Sequence, residues 1–219
     1  SSGATAVKTQ FAEVNGVRLH YLIGGKGSPV VLLHGYTQTS HMWLPMMPLL
    51  ARRHTVIVPD LRGAGGSAKP KSGYDKKNMA VDIHELTSSL GFDRVSIVGH
   101  DIGLMVAYAY AAQFQSEVDK LVLMDAFLPG VEGWAAIYNH PAIWHFRFNG
   151  ATPEALVKGR ERTYFEHFWN EFAADAKRSI PEADRRAYAT AYARPGRMRA
   201  GWAYFVSFQQ AATDFAQLS

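Results

Sequence analysis

The chain has 219 residues, 47% hydrophobic and 19% charged, with a formal net charge of +4 at pH 7, enough for one large domain with a substantial core. Its lysines and arginines are scattered rather than gathered into an arm, which argues against a nucleic-acid surface, and no apolar run approaches the roughly 18 residues of a membrane span. The absence of cysteine rules out disulfides and thiolate metal sites. Compartment stays open between a soluble cytoplasmic protein and one exported with its signal peptide removed.

Ser1-Ser2-Gly3-Ala4-Thr5 reads as a tail, a tag remnant or an end left by cleavage. Residues 11–22 alternate around Asn15-Gly16, with Val17, Leu19 and Tyr21 on one face, which predicts an antiparallel hairpin. The continuous apolar run 30–33 predicts a strand covered on both faces and ends at His34-Gly35-Tyr36-Thr37. A loop placed there lies at the edge where open α/β sheets hold their ligands. Residues 40–51 read as a helix that Pro45 and Pro48 should shorten or kink. A second buried strand, 55–59, is closed by Asp60-Leu61-Arg62-Gly63-Ala64-Gly65-Gly66-Ser67. An amphipathic helix follows over 78–90 and stops at Gly91.

The stretch 94–103 is the centre of the pattern. Val95, Ile97 and Val98 make a short strand that halts at Gly99, and a helix-forming series starts at Leu104. Two glycines flank His100-Asp101-Ile102, which is the layout of a nucleophile elbow with aspartate in place of the commoner serine. An ionised aspartate there needs positioning more than activation. Asp101 could instead be an ordinary helix cap. The elbow mechanism also needs two convergent N–H groups, which the amides of Tyr36 and Ile102 would supply. Val118 and then 121–124 predict a further buried strand ending at Asp125. Beyond Phe127-Leu128-Pro129-Gly130 only helical stretches rich in Ala, Phe, Tyr and Trp remain. The fold class expected is α/β, a doubly wound, mostly parallel sheet. Its core occupies 1–128, and 129–219 form a helical cap that begins the return to the core and closes an apolar pocket above Asp101.

Four segments, 30–36, Asp60 to Ser67, Gly99-His100-Asp101-Ile102-Gly103 and 121–126, together resemble the α/β-hydrolase fold in its epoxide hydrolase and haloalkane dehalogenase branch. Within it, His100-Asp101-Ile102-Gly103 and Ile143-Trp144-His145-Phe146 are most similar to the bacterial Cif-like epoxide hydrolases. The resemblance implies a cofactor-independent hydrolase in which Asp101 attacks an epoxide carbon and forms an ester that water then opens to a vicinal diol. It implies that Asp125 steers a catalytic histidine, and that His145 donates a proton to the opening oxygen. Trp144, Tyr204 and Phe205 would line the substrate with His145. Phe205 stands where those enzymes carry a second donor, a tyrosine, and Tyr204 is its neighbour. Dehalogenases of the same fold usually place Trp or Arg after the nucleophile, where this chain has Ile102.

Two alternatives stand beside this reading. One is a dehalogenase whose halide is held by Trp144, His145 or Trp202; the other is a non-catalytic binding protein on the same fold. The expected partner is a small hydrophobic epoxide or halide, with a homodimer left open. Asp60 and Arg62 are expected to form a structural ion pair or turn contacts, His34 to hold its loop, and His100 to pack or support the site. Histidines 20, 41, 54, 84 and 140 show no paired ligand spacing, so no metal is expected. The histidines after Asp125, namely His140, His145 and His167, all fall in helical sequence. The resemblance implies a catalytic histidine that follows the acid on a loop after the final strand, so it is expected beyond Ser219, in a longer protein of which this is the amino-terminal part.

Overall fold

The computed structural model describes residues 6–218; the tail read above, 1–5, lies outside them. Six strands form one sheet: β1 (Lys8–Val14), β2 (Val17–Gly24), β3 (Ser28–Leu33), β4 (His54–Pro59), β5 (Val95–His100) and β6 (Val118–Met124), in the order β1-β2-β4-β3-β5-β6. β1 and β2 are the expected hairpin. Val14 pairs with Val17, and Asn15 and Gly16 both take positive φ, as a tight two-residue turn requires. β2 runs antiparallel to β4, while β3, β4, β5 and β6 are parallel. Burial follows the period of two: Val31, Leu33 and Ile57 face the larger core, and Val30, Leu32, Val56 and Val58 face a smaller one with Trp43 and Met47. Covered on both faces, these strands have no polar alternate, which is why they read as unbroken apolar runs.

The helix expected over 40–51 is corrected. A 3-10 turn at Ser40–Trp43 is followed by a four-residue α1 (Met47–Leu50). Pro45 cannot continue a helix, whereas Pro48 falls in the first turn of α1, where a missing N–H is harmless. α2 (Lys76–Ser89) begins where the Asp75 side chain accepts the Asn78 N–H, and Gly91 at φ +83° stops it. It packs with α3 (Ile102–Gln113) against the larger core.

β6 is a second correction. Expected to be buried, it pairs with β5 alone among the described residues, and Val122, Leu123 and Met124 stay 46%, 39% and 40% exposed. An apolar run signals a strand, but how many neighbours cover it depends on the rest of the sheet.

No strand follows β6 among the described residues. The chain continues as α4 (Trp134–Asn139), a 3-10 run at Pro141–Arg147, α5 (Ala151–Val157), α6 (Glu161–Phe172), α7 (Ala176–Ser179), α8 (Glu182–Ala193), α9 (Arg197–Val206) and α10 (Phe208–Leu218). Their buried aromatics, among them Phe165, Trp169, Tyr192 and Trp202, join the same core as α2 and α3. α10 returns against α3, with the Phe215 ring edge-on to Tyr108 at 5.3 Å.

Candidate active site

Each parallel strand hands over to a polar residue at its carboxyl end: His34 after β3, Asp60 after β4, Asp101 after β5 and Asp125 after β6. At Asp101 the backbone takes φ +54° and ψ −119°, a conformation that costs a non-glycine residue about 1–3 kcal/mol unless its surroundings impose it. Here they do. A Cβ on Gly99 would fall 2.2 Å from the Gly103 carbonyl oxygen, one on Gly103 would fall 2.6 Å from those of Leu33 and His34, and one on Gly35 would fall 2.5 Å from the Asp101 Cβ. The Asp101 N–H donates to the Met124 carbonyl at 3.1 Å, fastening the turn to β6.

Asp101 occupies the N-cap position of α3, yet its side chain makes no capping bond. Oδ2 instead accepts the Tyr36 N–H at 2.8 Å, 65 residues away in the chain. Beside it Ile102, the first residue of α3, carries an N–H that has no intrahelical acceptor.

The loop that carries Tyr36 is fixed from below and above. Buried His34 accepts the Leu61 N–H on Nε2 at 3.0 Å, so its proton sits on Nδ1 and is donated to the Gly35 carbonyl at 2.9 Å. Burial holds its pKa below the usual imidazole range, against the pull of Asp60. Gln38 Oε1 accepts the Gly35 N–H at 3.1 Å and lies 3.0 Å from His100 Nδ1, which supports the loop rather than merely packing. From α8 the Tyr192 hydroxyl donates to the Gln38 carbonyl at 2.7 Å, and from α6 Trp169 Nε1 reaches Thr37 Oγ1 at 3.4 Å.

His145, in the 3-10 run, is 8% exposed. Its ring lies parallel to Tyr36 at 6.3 Å and edge-on to Phe168 and Phe205 at 4.7 and 5.5 Å; Phe205 meets the Tyr36 ring at 4.6 Å. Burial lowers the His145 pKa to about 4, with His167 acting in the same direction, so the ring is neutral at pH 7. Its Nδ1 is buried without a hydrogen-bond partner. Trp144 stands further out, against Tyr164 at 6.1 Å and His167 at 5.2 Å. Trp202, considered as a halide holder, already donates Nε1–H to the Tyr36 hydroxyl at 3.0 Å.

Tyr204 is a correction. Fully buried, it donates its hydroxyl to the Arg62 carbonyl at 2.6 Å and offers no proton to a substrate. Its own carbonyl accepts from Lys76 Nζ at 2.7 Å, and that ammonium also donates to the Tyr74 carbonyl and Ser207 Oγ. Burial pulls the Lys76 pKa down to about 7, opposed by Asp75 and Asp101. Asp60 and Arg62 do not pair with each other: Asp60 takes His20 Nδ1 at 2.7 Å and the amides of Ser40 and Gly66, and Arg62 grips Asp82 with two bonds of 2.7 Å.

Asp125 comes one residue after the His100–Met124 pair, so it is the neighbour of Asp101 on the adjoining strand, and its φ is +55°. It is exposed and borders an open depression of about 440 Å³ with Leu104, Leu123, Phe127 and Val131. The structure thus brings Asp101, Tyr36, Ile102 and Asp125 to one sheet edge and sets His145 and Phe205 beside Tyr36. Gln38, Lys76 and Tyr164 were not singled out in the sequence; Gln38, three residues past Gly35, had only its closeness to the loop to mark it. Among the described residues there is no cluster of three His, Asp or Glu placed to hold a metal, and no helix is long and apolar enough to cross a membrane.

A family model described as alpha/beta hydrolase fold matches residues 28–218. Soluble epoxide hydrolase from Corynebacterium sp. (strain C12) is 35% identical over 211 residues, 93% of this chain and 73% of that protein. Fluoroacetate dehalogenase from Burkholderia sp. is 34% identical over 167 residues, 72% of this chain and 55% of that protein. Among solved structures, Cfl2 from Burkholderia cenocepacia matches with a TM-score of 0.91 at 34% identity, over 100% of this chain and 76% of that one. The epoxide hydrolase CorEH matches with a TM-score of 0.88 at 33% identity, over 97% and 77%. Taken with the six-stranded sheet and its aspartate turn, these matches identify the chain as a member of the α/β-hydrolase fold family, in its epoxide hydrolase branch.

Proposed function

We propose that this hydrolase-family chain opens an epoxide to a vicinal diol through a covalent ester on Asp101. The observation that carries the reading is the placement of the Asp101 carboxylate, which leaves its helix uncapped and rests on the Tyr36 N–H. In the first step a carboxylate oxygen bonds to a ring carbon and the ring C–O bond breaks, while the N–H of the neutral His145 ring hydrogen-bonds the oxygen as it gains charge and the oxygen takes its proton from water. Water then adds to the ester carbonyl, and the carboxylate and the diol are released. The amides of Tyr36 and Ile102 hold the carbonyl oxygen as it gains charge, and Asp125 orients the base that activates the water. The aromatic wall of Phe168, Phe205 and Tyr36 around His145 favours a small hydrophobic substrate.

Similarity to fluoroacetate dehalogenase over 72% of the chain keeps a second reading, halide displacement at the same carboxylate. Rapid-quench mass spectrometry with a panel of small epoxides and halides decides between them. Epoxide chemistry leaves the whole substrate mass on the Asp101 peptide and yields diol without free halide. Asp101→Asn should take up no label. A wild-type Asp101 peptide left unmodified by every substrate would remove the nucleophile assignment.

A further inference from the structure

The chain contains two Asn-Gly steps, Asn15-Gly16 and Asn149-Gly150. Such a step is open to spontaneous deamidation, because a glycine leaves its own backbone nitrogen unshielded beside the asparagine carboxamide. The two glycines are equally bare: a Cβ on either would meet nothing within 4 Å, and φ is +71° at Gly16 and +104° at Gly150. The asparagines before them differ. The Asn15 side chain is held against α2, where Nδ2 donates to Asp82 Oδ1 at 2.8 Å and to the Asn78 Oδ1 and carbonyl at 3.2 and 3.4 Å, and its backbone N–H donates to Glu85 Oε2. Asn149 lies half-buried between the 3-10 run and α5, and its carboxamide has no hydrogen-bond partner among the described residues. The Gly150 N–H has none either.

We propose that Asn149 is a modification site of the folded protein, converting without an enzyme to aspartate and isoaspartate, that the isoaspartyl form loosens the start of α5, and that Asn15 is protected by its place in the fold. The Gly150 nitrogen, giving its proton to solvent hydroxide, bonds to the Asn149 Cγ; the Cγ–Nδ2 bond breaks and ammonia leaves, closing a five-membered succinimide. Water then opens the ring. Addition at the side-chain carbonyl gives an aspartyl residue in the original main chain, and addition at the main-chain carbonyl gives an isoaspartyl residue, whose chain runs on through Cγ. Either product has exchanged ammonia for water and gained a negative charge. A cation stands nearby: Asn149 borders an open depression of about 390 Å³ with Glu154, Arg199 and Trp202, and Arg199 donates to the Glu154 carboxylate at 2.9–3.1 Å. The isoaspartyl form also lengthens the main chain just before α5, whose first turn is tied by the Glu154 N–H to the Gly150 carbonyl at 3.0 Å. At Asn15 the same attack must first free the carboxamide from α2, so it waits on local opening of the hairpin.

The test is incubation of the full chain at mildly alkaline pH, each Asn-Gly peptide being followed by mass spectrometry with electron-transfer fragmentation, which separates aspartate from isoaspartate. In the folded chain Asn149 should convert at least about tenfold faster than Asn15, because several hydrogen bonds must open at Asn15 first. In chain unfolded by urea the two rates should come together to within about threefold. Asn149→Gln, whose longer side chain would have to close a six-membered ring, should stay unmodified over the same time. Native-state hydrogen exchange should show the Glu154 amide at least about fivefold faster in the isoaspartyl form than in Asn149→Asp, which carries the charge without the longer main chain. Asn149 left intact in the folded chain while it converts in urea would overturn the proposal, and so would equal conversion of the two asparagines in the folded chain. Equal Glu154 exchange in the isoaspartyl form and in Asn149→Asp would overturn the loosening of α5.

Discussion

Asp101 and Asp125 stand one residue past the paired ends of neighbouring parallel strands, with φ of 54° and 55°, and they share almost nothing else. Asp101 is hemmed by three glycines and held by the Tyr36 amide, with residues of α6 and α8 pressing on the same loop. Asp125 is exposed, makes no side-chain hydrogen bond or ion pair among the described residues, and lies beside uncovered apolar residues of β6. The left-handed turn at a strand end is therefore not in itself a site. What makes one is over-determination: β5 has a strand on each side and helices above, while β6 has one neighbour among the described residues.

The sharpest way to break that contrast is to spoil the packing that imposes the Asp101 turn. In Gly103→Ala the new methyl would meet the carbonyl oxygens of Leu33, the last residue of β3, and of His34 just after it, both at 2.6 Å, and the first cannot move without disturbing the pairing of β3 with β5. Urea unfolding should show a loss of about 3 kcal/mol. A loss below about 1 kcal/mol would show that the turn relaxes freely and that Asp101 is no better held than Asp125.

Much of this was legible in the sequence because it is local. Gly99 and Gly103 around three residues, a β-branched strand before and an alanine-rich helix after, specify a sharp turn whatever lies elsewhere. The hairpin at Asn15-Gly16 and the buried runs of β3 and β4 are local in the same way. What escaped depends on partners far along the chain. Asp60 reaches back 40 residues to His20, and Arg62 pairs with Asp82 across 20. The Tyr36–Tyr164 bond spans 128 residues, as does the bond from Lys76 to the Tyr204 carbonyl. No periodicity encodes such meetings. Tyr204 and Phe205 are adjacent in sequence, and the helix turned the tyrosine onto Arg62 and the phenylalanine onto Tyr36. The exposure of β6 escaped for a related reason, since its composition is that of a strand with two neighbours.

The covered side of the contrast also carries a pH signature. The His145 pKa is about 4 in the folded chain against an ordinary 6.5. Between those values the unfolded chain binds more protons than the folded one, so this group's contribution to stability falls as pH drops from 6.5 to 4 and stays lost below. The full loss is at most about 3 kcal/mol. His145→Phe abolishes it, so the variant should gain on wild type by about 2 kcal/mol between pH 7 and pH 4.5 in matched urea titrations. A difference between the two proteins that does not change with pH would mean that His145 is solvated and the wall beside Tyr36 is open.

The smallest effect is expected at the uncovered end, where it is the most discriminating. Asp125→Asn keeps the size of the side chain and suits positive φ, because asparagine tolerates the left-handed region better than most residues. With no partner to lose among the described residues, the substitution should leave stability within about 0.5 kcal/mol. If Asp125 orients the base for the second chemical step, diol production should nonetheless fall by about tenfold or more while ester formation on Asp101 is unaffected. That combination, a chemical defect without a folding defect, separates a residue that acts on a reacting group from one that braces the turn. A stability loss above about 1.5 kcal/mol would instead show that Asp125 is gripped as firmly as Asp101, and that the two strand ends are built alike after all.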